Sequence, residues 1–303
     1  MTARERLRAG APGRLVLIIG FTCVAVVLGL GASVFAFSYV RVQAGAVGWL
    51  LVSRFEQPLG AVAAFTFDTD TPTQLDVSTR GNHASCAGVN CPAFDAGGFL
   101  TFDGRQNYLK INDRDDFSAL NQWTILGWYR QASGGQLVSS GAGGVSVYPL
   151  VTKGRGIAER PDVDVSFFVG VTADGKIAAD FEDHNTAANH PVIGTTAPAA
   201  GAWHQFAAVF TGTAFQVFTD GALSGSTNVS LLPAIDSMIP VSIGTSFDER
   251  GVASGFFAGS LDEVEIYRQA FTADDVRYKF QTHALAAYLP LDEPATDQPD
   301  GGI

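Results

Sequence analysis

The chain has 303 residues, 19 of them Lys or Arg and 30 Asp or Glu, for a formal net charge of -11. Apolar residues make up 47%, which excludes intrinsic disorder, and an acidic chain repels phosphate backbones, which excludes nucleic acid as a partner. The charge is uneven: residues 1–41 set five arginines (Arg4, Arg6, Arg8, Arg14, Arg41) against Glu5, net +4, and the other 14 basic and 29 acidic residues give net -15.

Behind the basic residues 1–14, Leu15 to Val40 carries no charge. As a helix rising ~1.5 Å per residue this stretch measures about 39 Å, enough to cross a hydrocarbon core of about 30 Å. It predicts a single transmembrane helix over 15–40. A cleaved signal peptide is the alternative, but its apolar region normally runs about 7–15 residues. The arginines before the span place the N-terminus in the cytoplasm and the acidic body on the periplasmic or extracellular side of a bacterial cytoplasmic membrane. Residues 41–60 read as a juxtamembrane linker, with Trp49 and Arg54 suited to the membrane–water boundary. Cys23 lies in the span as one more apolar side chain.

From Ala61 onward the text is short and strand-like, and 61–290 is expected to form one β-sandwich. Cys86 and Cys91 form C-x4-C in a loop with Gly88, Asn90 and Pro92. Only His83 stands near as a further zinc ligand, so a disulfide is the simpler expectation outside the cytoplasm. Trp123–Arg130 and Trp203–Phe210 alternate with period two. Ala173–Gly175, Thr211–Thr213 and Asp220–Gly221 are turn signals between strand pairs. Thr272–Phe280, with Thr272 as cap and Asp274 and Asp275 in the first turn, predicts one or two helical turns. Ala284–Asp292 echoes Ala61–Asp68, so Leu285–Leu289 is expected to add an edge strand before a loose tail over 291–303.

The motifs Ala64–Asp68, Asp76–Ala84, Leu100–Gly104 with Tyr108, Thr124–Trp128, Gly201–Ser226, Phe257–Arg268 and Ala270–Val276 occur in that order. Together they resemble a bacterial LamG-like jelly roll of the concanavalin A-like lectin/glucanase superfamily. Leu150–Arg155, Asp180–Glu182 and Asn189–Pro191 are similar to a subgroup of such domains. The resemblance covers residues 61–282 and implies an all-β antiparallel jelly-roll sandwich behind the anchor. It also implies a calcium ion, held by Asp76, Gly81 and Asn82 of the early loop, Asp262 of the late strand, and Asp68. Hard oxygens of this kind suit calcium. Thr79 and Arg80 depart from the usual Gly-Asn of that loop, and Arg80 brings a positive charge.

Glycoside hydrolysis needs two carboxyl groups flanking one bond. The nearest text, Glu263–Arg268, has Glu265 where the family's hydrolases carry Asp and Tyr267 or Arg268 where the second Glu belongs, so no catalysis is expected. Asp180–His184 reads as a strand end on a solvated rim, and Lys153–Arg155 as a small basic spot in a solvated turn. Of Phe167, Phe168, Phe256 and Phe257, at least three are expected in the core. Two functions remain: a non-catalytic surface module that recognises glycan or protein, and an accessory structural subunit of a larger membrane complex. No ligand-binding residue is singled out.

Overall fold

The computed structural model describes residues 42–43, 49–50, 60–155, 164–234 and 237–287. The expected span over 15–40 and the tail over 291–303 lie outside these residues. Among the described residues no helix is long and apolar enough to cross a membrane. Within the expected linker, Val42–Gln43 pairs antiparallel with Trp49–Leu50. The described residues from Gly60 to Ala284 belong to one compact unit, Pro58–Ala284, to which that short pair does not belong.

The unit is a sandwich of two antiparallel sheets. One sheet runs Val192–Ile193, Ile177–Asp180, Phe167–Thr172, Ser146–Lys153, Val241–Ile243, Leu109–Ile111, Ala84–Ser85, Thr73–Gln74. The other runs Ala222–Asn228, Ala214–Thr219, His204–Phe210, Trp123–Gln131, Ala258–Tyr267, Phe99–Asp103, Ala93–Asp95. Ala61–Phe65 joins the second sheet against Ala258–Tyr267. The three expected hairpins close the pairs Phe167–Thr172/Ile177–Asp180, His204–Phe210/Ala214–Thr219 and Ala214–Thr219/Ala222–Asn228. The Asp220–Gly221 turn has φ of 51° and 74° at its two residues, the left-handed pair a tight hairpin demands.

Strand alternation sends Trp123, Ile125 and Tyr129 inward with Phe206, Phe210, Phe167 and Phe181 to fill the space between the sheets. Phe167, Phe168 and Phe257 are fully buried. The opposite face of the second sheet carries smaller apolar side chains, Ala64, Leu126, Ala207 and Val209, packed with Phe271 and Val276. A helix, Ala273–Ala287, supplies Val276. Both faces of His204–Phe210 are therefore buried, which explains its near-continuous apolar run.

The helix corrects the reading of the C-terminal residues. It is 15 residues long rather than one or two turns, and it continues through Leu285–Ala287, so no edge strand forms there. Ala, Lys, Gln and Leu are helix formers, and the apolar face offered by the second sheet favours a helix over an added strand. Its start is as expected: Thr272 N–H and Oγ1–H donate to Asp275 Oδ2 (2.8 and 2.7 Å), and Asp275 N–H donates to Thr272 Oγ1 (3.2 Å). Cys86 and Cys91 form the expected disulfide, with Cα atoms 5.0 Å apart.

Candidate ligand-binding cleft

A cleft of about 410 Å³ opens where the end of Trp123–Gln131 meets Tyr148 on the facing sheet. Its size falls within the usual range for small-ligand sites. Ala132, Gly134, Gly135, Ala173, Gly175 and Ala200 leave backbone exposed along its walls. Tyr148, Gln131, Ser133 and Asp174 supply a ring, an amide, a hydroxyl and a carboxylate. Gly135 has φ of 76°, and a Cβ there would sit 3.0 Å from both Phe256 O and Tyr148 Cδ1, so only glycine lets the loop approach the ring this closely.

The walls are fixed from behind. Gly201 N–H donates to Gln131 O at 3.0 Å. His204 places Nδ1 2.8 Å from Asp220 Oδ2 and Nε2 3.0 Å from Ala199 O, fastening the loop that carries Pro198 and Ala200 to the 220 hairpin. Asp174 sits in the Ala173–Gly175 turn, 2.7 Å from Lys176 Nζ. Lys176, then the Thr172 hydroxyl, hold its carboxyl below the usual range, so it faces solvent ionised. The sequence reading missed this cleft because its residues are neighbours only after the sheets fold. Gln131–Gly135, an interrupted strand followed by two glycines, was the available signal.

The residues expected to hold calcium divide into two groups. Asp76 Oδ1 accepts N–H bonds from Ala64 (3.0 Å) and Ser78 (2.8 Å), and Asp76 Oδ2 accepts from Asn82 N–H (2.8 Å). Asn82 Nδ2 donates to Val62 O at 2.7 Å and Asp116 Oδ2 at 2.9 Å. Asp76 and Asn82 thus staple the Asp76–Asn82 loop, which includes Gly81, to the first strand of the sandwich. Asp262 is different. Burial, then the Glu263 carboxylate and Asp68, push its pKa up to about 9. Asp262 Oδ1 also accepts from Glu263 N–H at 2.8 Å, so it stands apart from the Asp76–Asn82 staple. Among the described residues no three His, Cys, Asp or Glu side chains converge as a metal site.

Two other readings are corrected. Lys153 is no solvated basic spot: its side chain is fully buried and Nζ donates to Asp113 Oδ1, Ser237 O (2.6 Å) and Ile239 O (2.7 Å). Asp180, Glu182 and Asp183 are likewise buried, not on a rim. Asp183 accepts from Asn185 and Thr186 N–H, Thr186 Oγ1–H and the His190 ring, and Glu182 accepts from Val165 N–H. These carboxylates replace missing backbone partners where the sheet ends, which is why they are inside. Glu265 is also buried, occupied by the Tyr267 hydroxyl (2.7 Å) and Lys279 Nζ (3.0 Å).

The Laminin_G_3 model, described as concanavalin A-like lectin/glucanases superfamily, matches residues 103–277. Among solved structures, the binding domain of Paraclostridial Mosquitocidal Protein 1 is similar with a TM-score of 0.54 at 14% identity, over 74% of this chain and 52% of that one. The Botulinum Neurotoxin serotype G binding domain gives 0.52 at 11%, over 74% and 51%. Trypanosoma rangeli sialidase, solved in complex with sialic acid, gives 0.52 at 17%, over 75% and 33%. The likeness at these identities is one of fold, and the chain spans about half the length of the two toxin domains. No curated protein matches the sequence.

Proposed function

We propose, from the premise that this chain belongs to the concanavalin A-like lectin/glucanases superfamily, that it is a non-catalytic glycan-binding module. The observation that carries this reading is the cleft. The Tyr148 ring can lie against the C–H face of a sugar, while Gln131, Ser133, Asp174 and open glycine backbone offer both donors and acceptors to hydroxyls. Asp174 is the single carboxylate among its lining residues, whereas glycoside hydrolysis takes two. Two of the similar structures are binding domains and a third is a complex with sialic acid, which supports a binding role. The uncharged stretch 15–40 behind basic residues supports attachment to a membrane with the sandwich on its outer side.

The test is a neutral-glycan array probed with the detergent-extracted full chain, followed by titration of the hits. Tyr148→Ala and Gly135→Val are expected to weaken binding at least tenfold. Hits unaffected by both changes would remove the cleft from the reading, and cleavage of any hit, lost in Glu263→Gln, would make the protein an enzyme. No hits, together with co-purification in fixed ratio with other membrane subunits, would favour a structural role.

A further inference from the structure

On the outer face of the second sheet, Arg130 forms part of an assembly separate from the cleft. Tyr129 points into the core, so alternation sends Arg130 to the opposite face. Its guanidinium carbon lies 4.9 Å from the centroid of the Phe99 ring and 5.1 Å from that of Trp203. The two rings meet edge to face at 5.3 Å and 75°. Nη2–H donates to Ser260 Oγ at 3.1 Å, and Ser260 Oγ lies 3.2 Å from Thr101 Oγ1. Cross-strand register sets this row, with Arg130 opposite Ser260 and Ser260 opposite Thr101.

Arg130 is half-buried, and among the described residues no carboxylate forms an ion pair with it. The rings and Ser260 restrain the side chain, yet among the described residues only one of its five N–H groups has a protein acceptor. A restrained guanidinium with a free fork of donors matches a carboxylate, and little ordering remains to oppose binding. The half-buried rings beside it suit the C–H face of a sugar. The body's acidity opposes polyanions, so a single carboxylate is favoured.

We propose that Arg130, Phe99, Trp203 and Ser260 form a second binding site, for a sugar ring that bears one carboxylate, a hexuronate. The carboxylate accepts from Arg130 and the ring lies against Trp203 or Phe99. The site stands whether or not the cleft binds neutral glycans.

The experiment titrates the detergent-extracted full chain with D-glucuronate, its neutral isostere D-glucuronamide, and acetate, read by calorimetry and tryptophan fluorescence. Glucuronate is expected to bind at least tenfold more tightly than either control, with a change in Trp203 emission that Trp203→Phe removes. Arg130→Gln is expected to abolish the preference, and Arg130→Lys, which keeps the charge without the fork, to lose about tenfold. Equal affinity for glucuronate and glucuronamide, or no binding of glucuronate at 50 mM, would overturn the site. Acetate binding as tightly as glucuronate would overturn the sugar and leave a carboxylate-bearing peptide as the ligand. Were Arg130→Gln to lose its thermal transition, Arg130→Lys with the three wild-type titrations decides the matter.

Discussion

Trp128 stacks on Phe280 with ring centroids 5.6 Å apart and planes at 21°. The contact joins the second sheet to the C-terminal helix, and it depends on Gly221, where a Cβ would fall 2.8 Å from Phe280 Cβ. Phe280→Ala is expected to destabilise the sandwich by about 1–3 kcal/mol, because the ring is half-buried rather than central. At ~2–4 °C per kcal/mol for a domain of this size, melting falls by several degrees. Tryptophan emission should shift to the red, and an unchanged spectrum would mean the helix does not dock here.

Asp180 gives the stability a pH dependence. Burial raises its pKa to about 6, offset in part by the Ser140 hydroxyl, which donates to its Oδ2. The folded pKa lies above the unfolded value of 3.8, so the folded protein holds the extra proton between the two. The stability from this group is therefore present below about pH 4 and is lost as pH rises through about 6. The loss is on the order of 2–3 kcal/mol. Denaturant midpoints measured from pH 4 to 7 should show Asp180→Asn flattening this fall.

Lys153 carries a buried charge on two carbonyls and Asp113. Burial depresses its pKa and Asp113 resists that shift. Lys153→Ala strands Ser237 O and Ile239 O and leaves a cavity, at a cost of about 2–4 kcal/mol, while the exposed Asp113 carboxylate turns to water. Lys153→Met keeps the aliphatic volume but still strands the oxygens, so it should recover only part of the loss. Equal stability of Lys153→Met and wild type in urea would show that the ion pair contributes no net stability.

The family resemblance implies calcium at Asp68 and Asp262; were it held there, it would raise the melting temperature of the wild type over that in EDTA, and Asp262→Asn would remove the gain. Asp76→Asn should lower melting in both conditions and leave the gain intact, since Asp76 holds backbone N–H groups. A wild-type melt that calcium and EDTA leave equal would dismiss the ion.

The strands and hairpins were legible because alternation and turn residues are local. Trp123–Gln131 and the Asp220–Gly221 turn need no knowledge of the rest of the chain. The helix length was not legible, because the cover over Leu126 and Ala207 is a tertiary demand. Lys153 and Asp180 misled for the same reason: polar side chains at strand ends look solvated until the loops folded over them are known. Asp76 and Asp262 diverge because Asp76 accepts three backbone N–H groups from two segments, whereas Asp262 accepts one from its own neighbour and lies near the Glu263 and Asp68 carboxylates.

Ala258–Tyr267 is the last strand among the described residues, yet it lies inside the second sheet, bonded to Trp123–Gln131, Phe99–Asp103 and Ala61–Phe65. Val264 pairs with Phe65 across about 200 residues of chain. A polypeptide emerging N-terminus first must therefore hold three strands with open edges until residues 258–267 arrive. Completion of this sheet waits on residues 258–267, and a chain stopped before residue 258 would leave sticky edges for chaperones and proteases to recognise.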